Sequence, residues 1–155
     1  MNLPRPVARE QHPILSLICV DPARMDEVWP HVEKYFRQAY DKGIGDGNVD
    51  ALKADVDAGR QRVWIIWDYE GDRLMAGIAT KLIQTPTKKL CIITACGGEH
   101  MTRWIGLKVG LEDYARREGC DAIRLEGRRG WQSVFADYYQ PWICLQKDLQ
   151  KDMRG

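Results

Sequence analysis

The apolar residues of this chain fall into short runs and one-sided stripes, and their spacing changes along it. Residues 14–20, ILSLICV, form an apolar run of strand length. Asp21-Pro22 then predicts a helix start, with Asp as cap and Pro at the first helical position. Met25, Val28, Trp29, Val32, Phe36 and Ala39 recur at helical spacing and predict one apolar face, reaching to about Tyr40. Pro30 lies within that stretch and is expected to kink the helix or divide it. GIGDG (43–47) reads as a turn, and VDALKADVDAG (49–59) as a shorter helix closed by Gly59.

Three strands are predicted next: VWIIW (63–67), apolar enough to be central in a sheet, LMAGIATKLIQ (74–84) and KLCIITA (89–95). The turns YEGD and Thr85-Pro86-Thr87 separate them. Trp104, Leu107, Leu111, Tyr114 and Ala115 mark the inner stripe of a helix over about 101–118, closed by Gly119. DAIRLEG (121–127) reads as a strand, QSVFADYY (132–139) as a short helix or turn, and WICLQKDL (142–149) as a final strand. The order is β-α-α-β-β-β-α-β-α-β. Trp64 and Trp67, an odd number of residues apart in one strand, should face opposite sides of the sheet.

At 155 residues, the simplest division is an N-terminal arm (1–13) and one domain (14–155). The net charge of +1 gives no overall field toward nucleic acid or an anionic membrane. The longest apolar runs are too short to span a bilayer, and MNLPRPVAREQHP lacks the apolar centre of a signal peptide. Five cysteines, at 19, 91, 96, 120 and 144, include no C-x-x-C pair and read as reduced, mostly buried thiols of a cytosolic protein. Cys96 and His100 are the one Cys/His pair close in sequence, too few ligands for structural zinc, so no metal is expected. The same pair admits a thiol nucleophile, against the plainer reading of a buried cysteine at a strand end.

Chemistry is suggested where CIITACGGEHMTRW (91–104) takes a strand through two glycines into a helix. That succession can hold an anion on backbone N–H groups, with Gly97 and Gly98 letting phosphate come close. The plainer reading is a sharp strand-to-helix turn, with Glu99 favourable at the helix's positive end. Further along, Arg116, Arg117, Arg124, Arg128 and Arg129 gather near Trp131. Glu112, Asp113, Glu118, Asp121 and Glu126 nearly cancel them, which argues for a salt-bridged face over a nucleic-acid contact. GRRGW (127–131) stands out as a docking edge, because Arg and Trp are enriched among binding hot spots.

The element order, with LEDYARREGCDAIRLEG (111–127) running a helix through an A-R-x-x-G end into a strand, resembles the GNAT fold of N-acetyltransferases from about residue 14 to 149. The fold class implied is α/β (α+β), a mixed, mostly antiparallel sheet flanked by helices. GRQRVWIIWD, CGGEHMTRW, GCDAIRLEGRRGW and LQKDL also resemble small GNAT-like proteins of tailed phages, which are encoded among virion genes.

The resemblance implies a test, residue by residue. A GNAT enzyme wraps the acetyl-CoA pyrophosphate in a loop reading Arg/Gln-x-x-Gly-x-Gly/Ala. Counted back from Tyr114-Ala115-Arg116, the matching positions fall near Glu99, Thr102 and Trp104, a carboxylate and an indole where a donor and a small residue belong. The tyrosine that protonates the leaving thiolate would fall near Val134 to Ala136, with Tyr138 and Tyr139 a few residues late. Glu99 and His100 are the candidates for a base. These departures lead to the expectation of a non-catalytic component of a virion or its assembly, without cofactor. It would act in the host cytoplasm, bind protein partners or copies of itself through Arg128, Arg129 and Trp131 or the N-terminal arm, and contact no membrane. The alternative is a divergent acyl-CoA-dependent N-acetyltransferase. It would take acetyl-CoA at Gly97 and Gly98, with Glu99, His100, Tyr138 and Tyr139 as its catalytic candidates.

Overall fold

The structure is a computed structural model and describes residues 14–43 and 46–151. The arm at 1–13 and part of the 43–47 turn lie outside the described residues. Five strands, β1 (Leu15–Cys19), β2 (Arg62–Asp68), β3 (Arg73–Gln84), β4 (Lys89–Gly98) and β5 (Ala122–Leu125), form one sheet in chain order. The pairs β1–β2, β2–β3 and β3–β4 are antiparallel, and β4–β5 is parallel. The sheet is therefore mixed and mostly antiparallel, as expected.

Helices cover both faces. Asp21 accepts from the Ala23 N–H and caps a 3-10 turn (Pro22–Arg24), which leads into α1 (Met25–Lys42). α1 passes through Pro30 without a break. Pro30 is exposed, so the carbonyl it leaves unpaired one turn earlier faces water, which can satisfy it. Asn48 caps α2 (Val49–Asp57), and Gly59 follows it at φ +75°. Val28, Val32, Phe36, Leu52 and Trp67 belong to the core on this face. Trp64, Ile66, Trp104, Leu111 and Tyr114 belong to the core on the other, so Trp64 and Trp67 do face opposite sides.

Two predicted elements differ. The helix expected over 101–118 is three pieces: α3 (Met101–Trp104), a 3-10 turn (Ile105–Leu107) and α4 (Lys108–Arg117). Gly106 sits in the tight middle turn with nothing within 4 Å of where a Cβ would be, so no packing opposes the change of winding there. After α5 (Trp131–Val134) the chain forms no further regular element among the described residues. The final strand expected at 142–149 is absent: Ile143 and Leu145 are 67% and 86% exposed, and Trp142 lies over the Arg124 guanidinium at 4.2 Å. Strand propensity needs a paired neighbour, and no described strand pairs with this segment.

Candidate functional site: a cleft between two diverging strands

β4 and β5 pair from Leu90↔Ala122 to Ile93↔Leu125 and then separate. β4 continues through Thr94–Gly98, paired only with β3. The separation coincides with a β-bulge, because Ala79 pairs with Ala95 and Thr80 with Ile93, leaving Thr94 as the extra residue. The resulting cleft encloses about 120 Å³. One wall is the end of α1, including Ala39, Tyr40 and Lys42, and the other is the segment after β5, with Glu126, Arg128 and Trp131. Thr94–Gly98 form its floor.

A chain of hydrogen bonds braces the bulge from behind. Thr94 Oγ1 donates to Gln61 Oε1 at 2.5 Å, and Gln61 Nε2 donates to Asp55 Oδ2 at 2.9 Å. Asp55 Oδ1 also accepts from Arg60 Nε at 2.8 Å. An ionised carboxylate only accepts, so Asp55 fixes which way the Gln61 amide points. The hydrogen bonds from Gln61 and Arg60 hold the Asp55 carboxyl below the usual carboxylate range. Burial, reinforced by the Asp55 charge, raises the Tyr40 phenol above its ordinary value.

Gly97 and Gly98 do not make the turn. Both lie in β4, opposite Gly77 and Ala76 of β3. A Cβ on Gly97 would lie 2.2 Å from the Tyr35 carbonyl oxygen, and one on Gly77 would lie 2.3 Å from Val32 Cγ2. A Cβ on Gly98 would meet Ala76 Cβ at 2.5 Å. These glycines let α1 rest on the sheet and β3 approach β4. The turn itself is made by Glu99 and His100, the latter left-handed at φ 52°.

Part of the backbone of that turn is already engaged. The Glu99 N–H donates to Met75 O at 2.9 Å, and Glu99 O accepts from Trp104 Nε1 at 2.8 Å. His100 O accepts from the Arg103 N–H. Trp104 is buried beneath the turn against the core, so its bulk does not obstruct an approach from outside. The objection drawn from its size falls, because the side chain points inward.

The structure brings few of the other candidates together. Glu99 and His100 are exposed, flanking the cleft between its lining residues Gly98 and Met101. Tyr138 donates its O–H to Glu112 Oε2 at 2.7 Å, away from the cleft lining, and burial with that bond raises its pKa strongly. Tyr139 is 84% exposed. Cys96 lines the cleft but its thiol is pushed up to about 12 by burial, a poor nucleophile at neutral pH. Arg128 lies over the Trp131 ring at 5.7 Å, both lining the cleft, while Arg129 is exposed. Among the described residues no group of three or more His, Cys, Asp or Glu is placed to hold a metal. Nor is any described helix long and apolar enough to cross a membrane. Sequence reasoning missed Tyr40, Lys42, Gln61 and Thr94, which carry no motif; the bulge that unites them is hidden inside an apolar run.

No family profile matches the sequence, and no curated relative matches it. Solved structures do. An aminoglycoside acetyltransferase from an uncultured soil metagenomic sample superposes with a TM-score of 0.65 at 11% identity, over 89% of this chain and 99% of that one. This is the GNAT fold. Glucosamine-6-phosphate N-acetyltransferase from Arabidopsis thaliana shares it with a TM-score of 0.60 at 10% identity, over 88% and 99% of the chains. A predicted acetyltransferase of Clostridium acetobutylicum, solved with acetyl-CoA, does so at 0.55 and 17% identity, over 90% and 97%. The likeness establishes the fold. That these structural neighbours are acetyltransferases overturns the expectation of a non-catalytic virion component without cofactor. The inward Trp104 and the open β4–β5 cleft remove part of the ground on which that expectation stood.

Proposed function

We propose that the protein is an acyl-CoA-dependent N-acyltransferase that takes its cofactor, acetyl-CoA, between β4 and β5. The observation that carries this is the bulge-opened cleft with the β4 edge of Thr94–Gly98 as its floor. That edge, paired on one side only, can hydrogen-bond an extended, amide-bearing arm as it would another strand. Ala39, Met101 and Leu125 give the arm apolar contact. When bound, acetyl-CoA supplies an acyl group activated as a thioester. Among the described residues lining the cleft, Glu126 is the one carboxylate and Tyr40 the one phenol. Glu126 takes the proton of the attacking amine, and Tyr40, which holds its own proton firmly, donates to the departing sulfur. The resemblance of several segments to small tailed-phage proteins supports reading it further as an enzyme encoded by a phage and acting in the host cytoplasm.

Calorimetric titration of acetyl-CoA tests the reading, with a thiol-release assay over a panel of primary amines as its second arm. Micromolar binding and amine-dependent release, reduced at least tenfold in kcat by Tyr40→Phe, are expected. An absence of binding at millimolar acetyl-CoA would refute it.

A further inference from the structure

The sheet ends on a strand with an open edge, and the chain carries a strand-like segment that pairs with nothing. β5 pairs with β4 on one side, and no described strand pairs with its other side. Its Ile123 and Leu125 are only partly buried, against the core beneath α4, with Arg124 between them directed to the opposite face. Such an edge offers a row of backbone N–H and C=O groups to another strand. Residues 142–149 have the composition of a strand. At a strand's period of two, Ile143, Leu145 and Leu149 share one side, and they are 67%, 86% and 80% exposed. Trp142 falls on the other side, as Arg124 does in β5, and lies over the Arg124 guanidinium at 4.2 Å. The segment thus starts beside β5, with an apolar side that matches Ile123 and Leu125. In the single chain it goes no further. Pro141 fixes the backbone ahead of it. Gln140 Oε1 accepts from Gln132 Nε2 at 2.9 Å, and Gln140 Nε2 donates to the Trp142 carbonyl at 3.1 Å. This clamp holds the start of the segment in place while the residues after it stand in solvent.

We propose that residues 142–149 of a second copy of this chain add to the open edge of β5, each copy lending its strand to the other. One chain supplies both the edge and the strand, so two copies related by a two-fold axis beside β5 fill each other's edge. Ile143 and Leu145 then extend the apolar side begun by Ile123 and Leu125, while Trp142 stays on its own Arg124 as the point where the chain crosses over. The exchange does not depend on which ligand the cleft takes.

Sedimentation equilibrium of the full chain at micromolar concentration should give twice the mass of one chain, and hydrogen exchange should find the amides of 142–149 protected. Leu145→Ala should weaken the dimer about a hundredfold, because burying the leucine is worth about tenfold and the two-fold axis counts it twice. Ile143→Asp combined with Leu145→Asp puts carboxylates on the side that meets the core and should leave only monomer. Both positions are exposed in the single chain, so these variants keep its fold, which circular dichroism checks. Val109→Asp, at an exposed apolar position on α4, should leave the dimer intact. A monomer at micromolar concentration overturns the proposal, whether its 142–149 amides exchange freely or are protected by pairing with their own β5. So does a dimer that survives the double aspartate variant, one that Val109→Asp dissolves equally, or one whose 142–149 amides are unprotected.

Discussion

Gly97→Ala adds one methyl group at the contact on which the cleft depends. The new Cβ would lie 2.2 Å from the Tyr35 carbonyl oxygen and 3.0 Å from its carbonyl carbon. Carbon and oxygen settle no closer than roughly 3.2 Å without repulsion, so α1 would have to rise by about 1 Å. The clashing atoms are backbone and no rotamer change relieves them. Lifting α1 would also loosen Val32 and Phe36, both buried against β3 near Gly77. Overpacking costs about 1–3 kcal/mol, and a backbone clash belongs at the upper end, so we expect a loss of about 3 kcal/mol. With a urea m-value of about 2 kcal/mol per molar, the unfolding midpoint should fall by about 1.5 M. Gly106→Ala is the comparison, because nothing lies within 4 Å of the added Cβ and its φ is not left-handed. It should be neutral or stabilising by up to about 1 kcal/mol. A Gly97→Ala protein within about 0.5 kcal/mol of the parent in urea unfolding would refute the contact argument.

Trp104→Ala should cost about 3–5 kcal/mol in chemical unfolding, since it empties a buried site and frees the Glu99 carbonyl; it should not improve CoA binding. Tyr138→Phe should remove about 1.5 kcal/mol by leaving Glu112 one donor short, and leave acetyl-CoA affinity by calorimetry unchanged. The Asp68 carboxyl is held below its ordinary value by the Gly71 and Glu70 N–H groups and by Arg103 and Arg73, against the opposing effect of burial. A depressed pKa contributes stability that is complete above the unfolded-state value and lost as pH falls toward the folded one. Urea unfolding from pH 7 to pH 3 should therefore show a shallower acid decline in Asp68→Asn than in the parent.

The element order through β5 is legible in the sequence because local signals agree there. Asp21 and Asn48 cap, Gly59 and Gly119 close helices at positive φ, and apolar runs mark the strands. What escaped the sequence depends on partners distant in the chain. Gly97 and Gly98 look like a turn because what requires them to be glycine lies earlier in the chain, the helix at Tyr35 for Gly97 and β3 at Ala76 for Gly98. The Thr94 bulge leaves no mark, since one extra residue in a strand buried on both faces disturbs no visible alternation. Trp104 was weighed by its volume, while the structure turns on its direction. Residues 142–149 have the composition of a strand, but composition cannot supply the neighbour a strand must pair with. The candidate site is therefore the least legible part, being assembled from α1, α2, the β4 bulge and the β5 exit, and marked by no motif.

The two walls of the cleft differ in how they are fastened. α1 is keyed to β3 and β4 at backbone distance through Gly77 and Gly97 along its middle. The β5 wall is tied to the sheet by a four-residue ladder, clasped at its base, where Asp121 Oδ2 accepts from the Lys89 N–H and Lys89 O from the Asp121 N–H, and by Ile123, Leu125 and Trp131, which pack on the core of the other face. On the α1 side an added atom meets backbone at Tyr35, whereas residues 126–130 on the other side are exposed. Differences in the width of the cleft are therefore more readily written into the sequence beyond β5 than along α1, where one added methyl group meets backbone.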